Sequence, residues 1–237
     1  MISITLKNCQ SSAPKILAVF SFRYDAHLVP DLLANISPLV EGWVAYDDTA
    51  ATELFSDEPY RRRALLSAAR DAGADWVLAV DPDERFEVGL ADEIGRLISV
   101  DRPICYSFAV REMFAPDKYR IDGVWGTKRQ ARLLRLADGF AEQVAPLHSS
   151  WHSLIEGAEH VPTDFNLYHL KMMTQQRRRA RADLYNRLDP ERKIQKIGYD
   201  YLADDEGAVF EFIEPHRRYL PPHHDDGGLW MASPAAS

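Results

Sequence analysis

ADWVLAVDPDERFE, residues 74–87, decides how the rest of the chain is read. Trp76 to Val80 is a short apolar run; Asp81, Asp83 and Glu84 follow it, and Pro82 and Arg85 break it there. Four to eight apolar residues bounded by turn formers read as a buried strand. Carboxylates delivered at the end of such a strand stand where open α/β sheets bind ligands, in the crevice beyond the strand ends. Asp and Pro are also ordinary turn residues, so a solvated acidic turn is the plainer alternative. Three carboxylates within four residues repel one another unless a cation or donors answer them, which favours a binding role.

The segments upstream supply the units of a layered sheet. KILAVFSF, residues 15–22, is a strand, and Leu28, Leu32, Ile36 and Leu39 then fall on one face of a helix, with Asp25 as its expected N-cap. GWVAY, residues 42–46, is a second strand that ends in Asp47 and Asp48. Tyr60 to Asp71, YRRRALLSAARD, has the composition of a helix and stops at Gly73. Two β-α units before a third strand predict an α/β, doubly wound sheet. Asp47/Asp48 and Asp81/Asp83 then leave the same edge of that sheet.

Composition limits the rest. With 237 residues the chain can bury a sizeable core, and its net charge of −8 argues against a general nucleic-acid binder. Two cysteines, Cys9 and Cys105, are too few for a disulfide framework and predict reduced thiols in a cytoplasmic protein. No run is long and apolar enough for a membrane span.

Downstream, Val88 to Val100 reads as a helix, and Pro103 to Phe114 and Lys128 to Leu136 read as strands. The loop between those strands carries Tyr119 and Trp125, with Trp125 either a recognition residue or a hydrophobic plug. Asp164 to Leu170 is a last strand, and a basic helix runs from Met172 to Leu188. Ile194 to Leu202 is expected as a further short helix and Ala208 to Ile213 as a short strand. From Pro215 the density of Pro, Gly and Ser predicts a mobile tail.

RRRALLSAARDAGADWVLAVDPDERFE resembles the central segment of GT-A-fold glycosyltransferases of the family 2 type, in which an arginine-bearing helix leads to a strand and a DxD-like motif. AVFSFRYDAHLVPDLLANISPLVEGWVAYDD is similar to that family's opening, and RQARLLRL, PLH and NLYHLKMMTQQRRRARADLYNRLDP to later segments of bacterial members. The resemblance covers about residues 15–190 and implies a Rossmann-like mixed sheet. Residues 1–170 would bind the nucleotide-sugar and acceptor, 171–214 would form a basic helical extension, and 215–237 a tail.

The same resemblance implies roles. Phe22, Arg23 and Asp47 or Asp48 would contact the nucleoside, and Arg62 or Arg63 would lie near the diphosphate. Asp81 would hold the ribose or a metal-bound water, and Asp83 would ligate Mn2+ or Mg2+ with His169 as second ligand. The partners would be a UDP-, GDP- or TDP-linked sugar donor and a hydroxyl acceptor. An inverting transfer needs a base, for which His148, Glu112 and Asp164 are the candidates. Two departures stand out: Ala50-Ala51-Thr52 replaces the family's Ser-Thr-Asp, and Ser149 rather than Glu follows His148. The competing readings are another metal-dependent phosphoryl or nucleotidyl transferase, and a GT-A-like binding module without turnover.

Overall fold

Residues 1–7, 14–51, 58–136 and 150–220 are described by the computed structural model. Its strands and helices are β1 (Ile2–Leu6), β2 (Ile16–Phe22), α1 (Val29–Ile36), β3 (Gly42–Asp47), α2 (Glu58–Asp71), β4 (Trp76–Ala79) and β5 (Glu84–Phe86). There follow α3 (Leu90–Leu97), β6 (Ile104–Ala115), β7 (Lys118–Arg120), β8 (Arg129–Arg135), β9 (Glu159–His169), α4 (Gln175–Leu188) and β10 (Phe210–Phe212). The strands make one mixed sheet in the order β1-β3-β2-β4-β8-β6-β7-β10, and β9 lies between β6 and β5. None of the described helices is long and apolar enough to cross a membrane.

Strand β2 shows why helices cover both faces. Ile16, Ala18 and Phe20 pack with Leu32 and Ile36 of α1 and Leu90, Ile94 and Leu97 of α3. The alternate residues Leu17 and Val19 pack with Leu65, Leu66 and Ala69 of α2. A strand buried on both faces reads as a continuous apolar run, which is what residues 16–20 are. Strands β3 and β4 both pair with β2 in parallel, so β2, β3 and β4 point their carboxyl ends the same way.

The structure corrects several expectations. Strand β1 is an unforeseen edge, antiparallel to β3 and exposed along its length. Its approach requires Gly42, where a Cβ would overlap the Thr5 carbonyl oxygen. Asp25 does not cap α1; its side chain accepts the Arg23 N–H at 3.2 Å, and a 3-10 turn at Ala26–Leu28 precedes the helix. The loop after β6 contains β7, and Trp125 is a buried plug against Phe114 and Tyr201. The helix expected at 194–202 shrinks to a 3-10 turn at Asp200–Leu202, because Gly198 takes a φ of 75° just before it.

Beyond residue 170 the chain stays joined to the sheet, since β10 pairs with β7. The tail expected from Pro215 is held against the fold as far as Tyr219: Arg217 pairs with Glu87, and Tyr219 stacks on Tyr168 with ring centres 4.8 Å apart. Residues 221–237 lie outside the described residues.

Candidate functional site

A cavity of about 810 Å³ opens beyond the carboxyl ends of β2, β3 and β4. Phe22 and Arg23 come from the end of β2, Asp48 follows β3, and Asp81 and Asp83 follow β4. The opening turns of α2 add Arg61 and Arg62, and Lys128, Gln130 and Arg132 enter from β8 and the residue before it. The far wall is built by α4 and the turns after it, including Arg181, Tyr185 and Tyr199. Eight lysine and arginine side chains line the cavity against five carboxylates, the reverse of the chain's net charge. Such a surplus in a concave site selects anions.

The acidic turn is held from three sides. Glu84 is fully buried; its Oε1 accepts from Arg132 Nη2 at 2.5 Å, and its Oε2 accepts the Asp81 N–H at 3.0 Å. Arg132 also reaches Asp81 Oδ2 at 3.0 Å, leaving the Asp81 carboxylate 44% exposed toward the cavity. Burial works against the Arg132 charge, but Glu84 and Asp81 more than restore it, and the guanidinium stays ionised. Asp83 points the other way, with its Oδ1 3.4 Å from His169 Nε2.

Strand register explains how His169 arrives there. It lies opposite Glu84 on β5 and opposite Glu112 on β6, and the Leu170 N–H donates to the Asp83 carbonyl at 2.7 Å. Glu112 presents Oε2 to His169 Nδ1 at 3.2 Å and Oε1 to Lys128 and Lys171 at 3.0 and 3.1 Å. Burial disfavours the His169 imidazolium, but Glu112 and Asp83 outweigh it and raise its pKa. Burial would raise the Asp83 carboxyl, but His169, with Arg181 and Arg177, holds it well below the usual carboxylate range. Burial pushes the Lys171 ammonium down to about 7, with Glu112 pulling against the shift and Lys128 and Arg181 adding repulsion.

Seven of the expected residues therefore meet at one cavity: Phe22, Arg23, Asp48, Arg62, Asp81, Asp83 and His169. Arg62 pairs with Glu58 and lies over the Trp151 ring at 4.8 Å. Asp47 and Arg63 do not line it; Asp47 is exposed and accepts from Thr49 Oγ1 at 2.6 Å. Of the expected bases, Glu112 is fully buried behind His169, and Asp164 is exposed beside Arg217. His148 lies outside the described residues. Lys128, Arg132, Lys171 and Arg61 were not anticipated. The alternation of KRQARLLRL held a signal for two of them, since Lys128, Gln130 and Arg132 share one face of a strand.

The fold and site define a mixed α/β protein with a cation-rich cavity at its strand ends. No protein-family model matches the chain, and no curated protein matches it significantly. Among solved structures, it is similar to a glycosyltransferase involved in the glycosylation of the major capsid of PBCV-1, with a TM-score of 0.33 and 14% identity. That match covers 52% of this chain and 60% of the other, so the match spans less than two thirds of that protein's length.

Proposed function

We propose that this protein is a glycosyltransferase with a GT-A-type fold that moves a sugar from a nucleoside-diphosphate sugar to an acceptor hydroxyl. The observation that carries the reading is the joining of Asp48, Asp81 and Asp83, at parallel strand ends, with a surplus of arginine and lysine in one cavity. Sugar nucleotides need both halves of this arrangement. Carboxylates suit ribose hydroxyls and cations, and guanidinium and ammonium groups suit the departing diphosphate.

The donor set fits a divalent cation. Oxygen and nitrogen ligands of a six-coordinate ion at about 2.1 Å lie about 3 Å apart, close to the 3.4 Å between Asp83 Oδ1 and His169 Nε2. Glu112 behind His169 Nδ1 is the carboxylate that commonly orients a metal-bound imidazole. Among the described residues no three His, Cys, Asp or Glu side chains gather as a complete metal cage, so phosphate oxygens and water would fill the other positions. A bound Mn2+ or Mg2+ would supply Lewis-acid stabilisation of the leaving diphosphate. Asp83 and His169 would hold that ion, and Asp81, kept in place by Arg132 and Glu84, would face the donor.

Thermal melting tests the reading. UDP, GDP or TDP with Mn2+ should raise the melting temperature, by roughly 5 °C at a hundredfold excess over Kd. Asp83→Ala should abolish the metal-dependent part of that rise. If none of the three nucleotides moves the melting temperature and Asp83→Ala behaves as the parent does, the proposal fails.

A further inference from the structure

The cavity's charges are not evenly matched. Near the start of α2, Arg61 pairs with Asp48, Arg62 pairs with Glu58, and Arg132 bridges Asp81 and Glu84. Each guanidinium there already faces a carboxylate. Across the cavity the balance differs. Glu112 Oε1 lies 3.0 Å from Lys128 Nζ and 3.1 Å from Lys171 Nζ, while its Oε2 faces His169. One fully buried carboxylate therefore serves both lysines and one side of the His169 imidazole, whose other side faces Asp83. Both lysines line the cavity, Lys128 with 34% of its side chain exposed and Lys171 with 10%, and Arg181 lines it too.

Like charges gathered out of bulk water are unfavourable unless an anion joins them. Ammonium groups suit such an anion, since each is a compact charge with three donors and Glu112 occupies one direction only. We propose that Lys128 and Lys171 form an oxyanion subsite, separate from the arginines of α2, that takes a phosphate or carboxylate group of the substrate. The proposal rests on the glycosyl-transfer reading for what that group is: the diphosphate of the donor, or an acidic substituent on a sugar.

The test follows melting of the full chain against inorganic phosphate, against UDP, GDP and TDP, and against glucuronate and glucose 6-phosphate. Lys128→Met, Lys128→Arg and Arg63→Met are compared with the parent. Lys128 is partly exposed, and its loss leaves Glu112 with Lys171 and His169, so Lys128→Met is expected to fold. Phosphate should bind the parent and bind Lys128→Met about tenfold more weakly. Lys128→Arg should recover most of that loss, and Arg63→Met, outside the cavity, should show little of it.

A parallel loss of nucleoside diphosphate binding in Lys128→Met supports the subsite and assigns it to the donor's diphosphate. A loss confined to glucuronate or glucose 6-phosphate supports it and assigns it to an acidic sugar. Equal phosphate binding by the parent and Lys128→Met, or none by the parent, overturns the subsite. In that event, nucleoside diphosphate binding still upholds glycosyl transfer. Lysine-dependent phosphate binding without any nucleotide binding upholds the subsite and removes that function.

Discussion

Arg85 is fully buried beneath the acidic turn, and its guanidinium donates to three backbone carbonyls. Nη1 reaches Pro82 at 2.7 Å and Glu84 at 2.6 Å, and Nη2 reaches Leu28 at 3.3 Å. Burial draws its pKa down to about 10, with Asp31 and Asp83 opposing the shift, so it stays charged at neutral pH. It ties the Asp83 turn to the entry of α1. Arg85→Met should destabilise the fold by about 3 kcal/mol, because buried carbonyls lose charged donors. Donor binding should weaken with it, as Asp83 loses its fixed position. Arg63→Met, outside the cavity, should leave nucleotide affinity unchanged; denaturant melts and nucleotide titrations of the two variants check both statements. At this scale Asp81 and Asp83 were legible because composition and position in the sequence single them out. Their contacts were less so: alternation sets Arg132 on a strand face and Glu112 was a candidate base, but that Arg132 reaches Asp81 and Glu84, and that Glu112 stands behind His169, follows from the register of β8, β6 and β9.

The pairing of β7 with β10 is fastened by one ion pair. Arg120 Nε and Nη2 bind the two oxygens of Asp122 at 2.7 and 2.8 Å, and the Val209 N–H donates to Asp122 Oδ1 at 3.0 Å. Hydrogen bonding from the Arg120 guanidinium, more than anything else around it, draws the Asp122 carboxyl down to about 2. A depressed carboxyl stabilises the fold above its unfolded pKa, and the contribution is lost as pH falls through the folded value. The clamp should therefore weaken between about pH 4 and pH 2, by on the order of 1 kcal/mol after discounting for solvent at a carboxylate 27% exposed. Asp122→Asn should flatten that part of the stability-against-pH curve; an unchanged curve contradicts the role. The helices and the longer strands showed in the sequence as periodicity, and β10 falls within the short strand expected at Ala208 to Ile213, whereas β1, β5 and β7 are short segments that were not foreseen. Pairing rather than local propensity makes them strands. The 3-10 turn before α1 was hidden for a similar reason, since the apolar spacing from Leu28 to Leu39 fits a continuous helix equally well.

Across the whole molecule, an acidic chain encloses a cation-rich cavity at the carboxyl ends of three parallel strands. The two leading β-α units made the sheet and the edge that opens into the cavity legible, because apolar runs and helix periods alternate there without interruption. The second half was less legible. It sets β8 antiparallel to β4 and β6 antiparallel to β8, and it sets β9 parallel to β6 so that His169 returns to Asp83 from far along the chain. A crystal structure with a nucleoside diphosphate and Mn2+ is the most direct measurement. Glycosyl transfer at this site predicts the diphosphate in the cavity beyond β2, β3 and β4, with the cation about 2.2 Å from the Asp83 carboxylate. A nucleotide bound elsewhere, or a cation held away from Asp83, would contradict it.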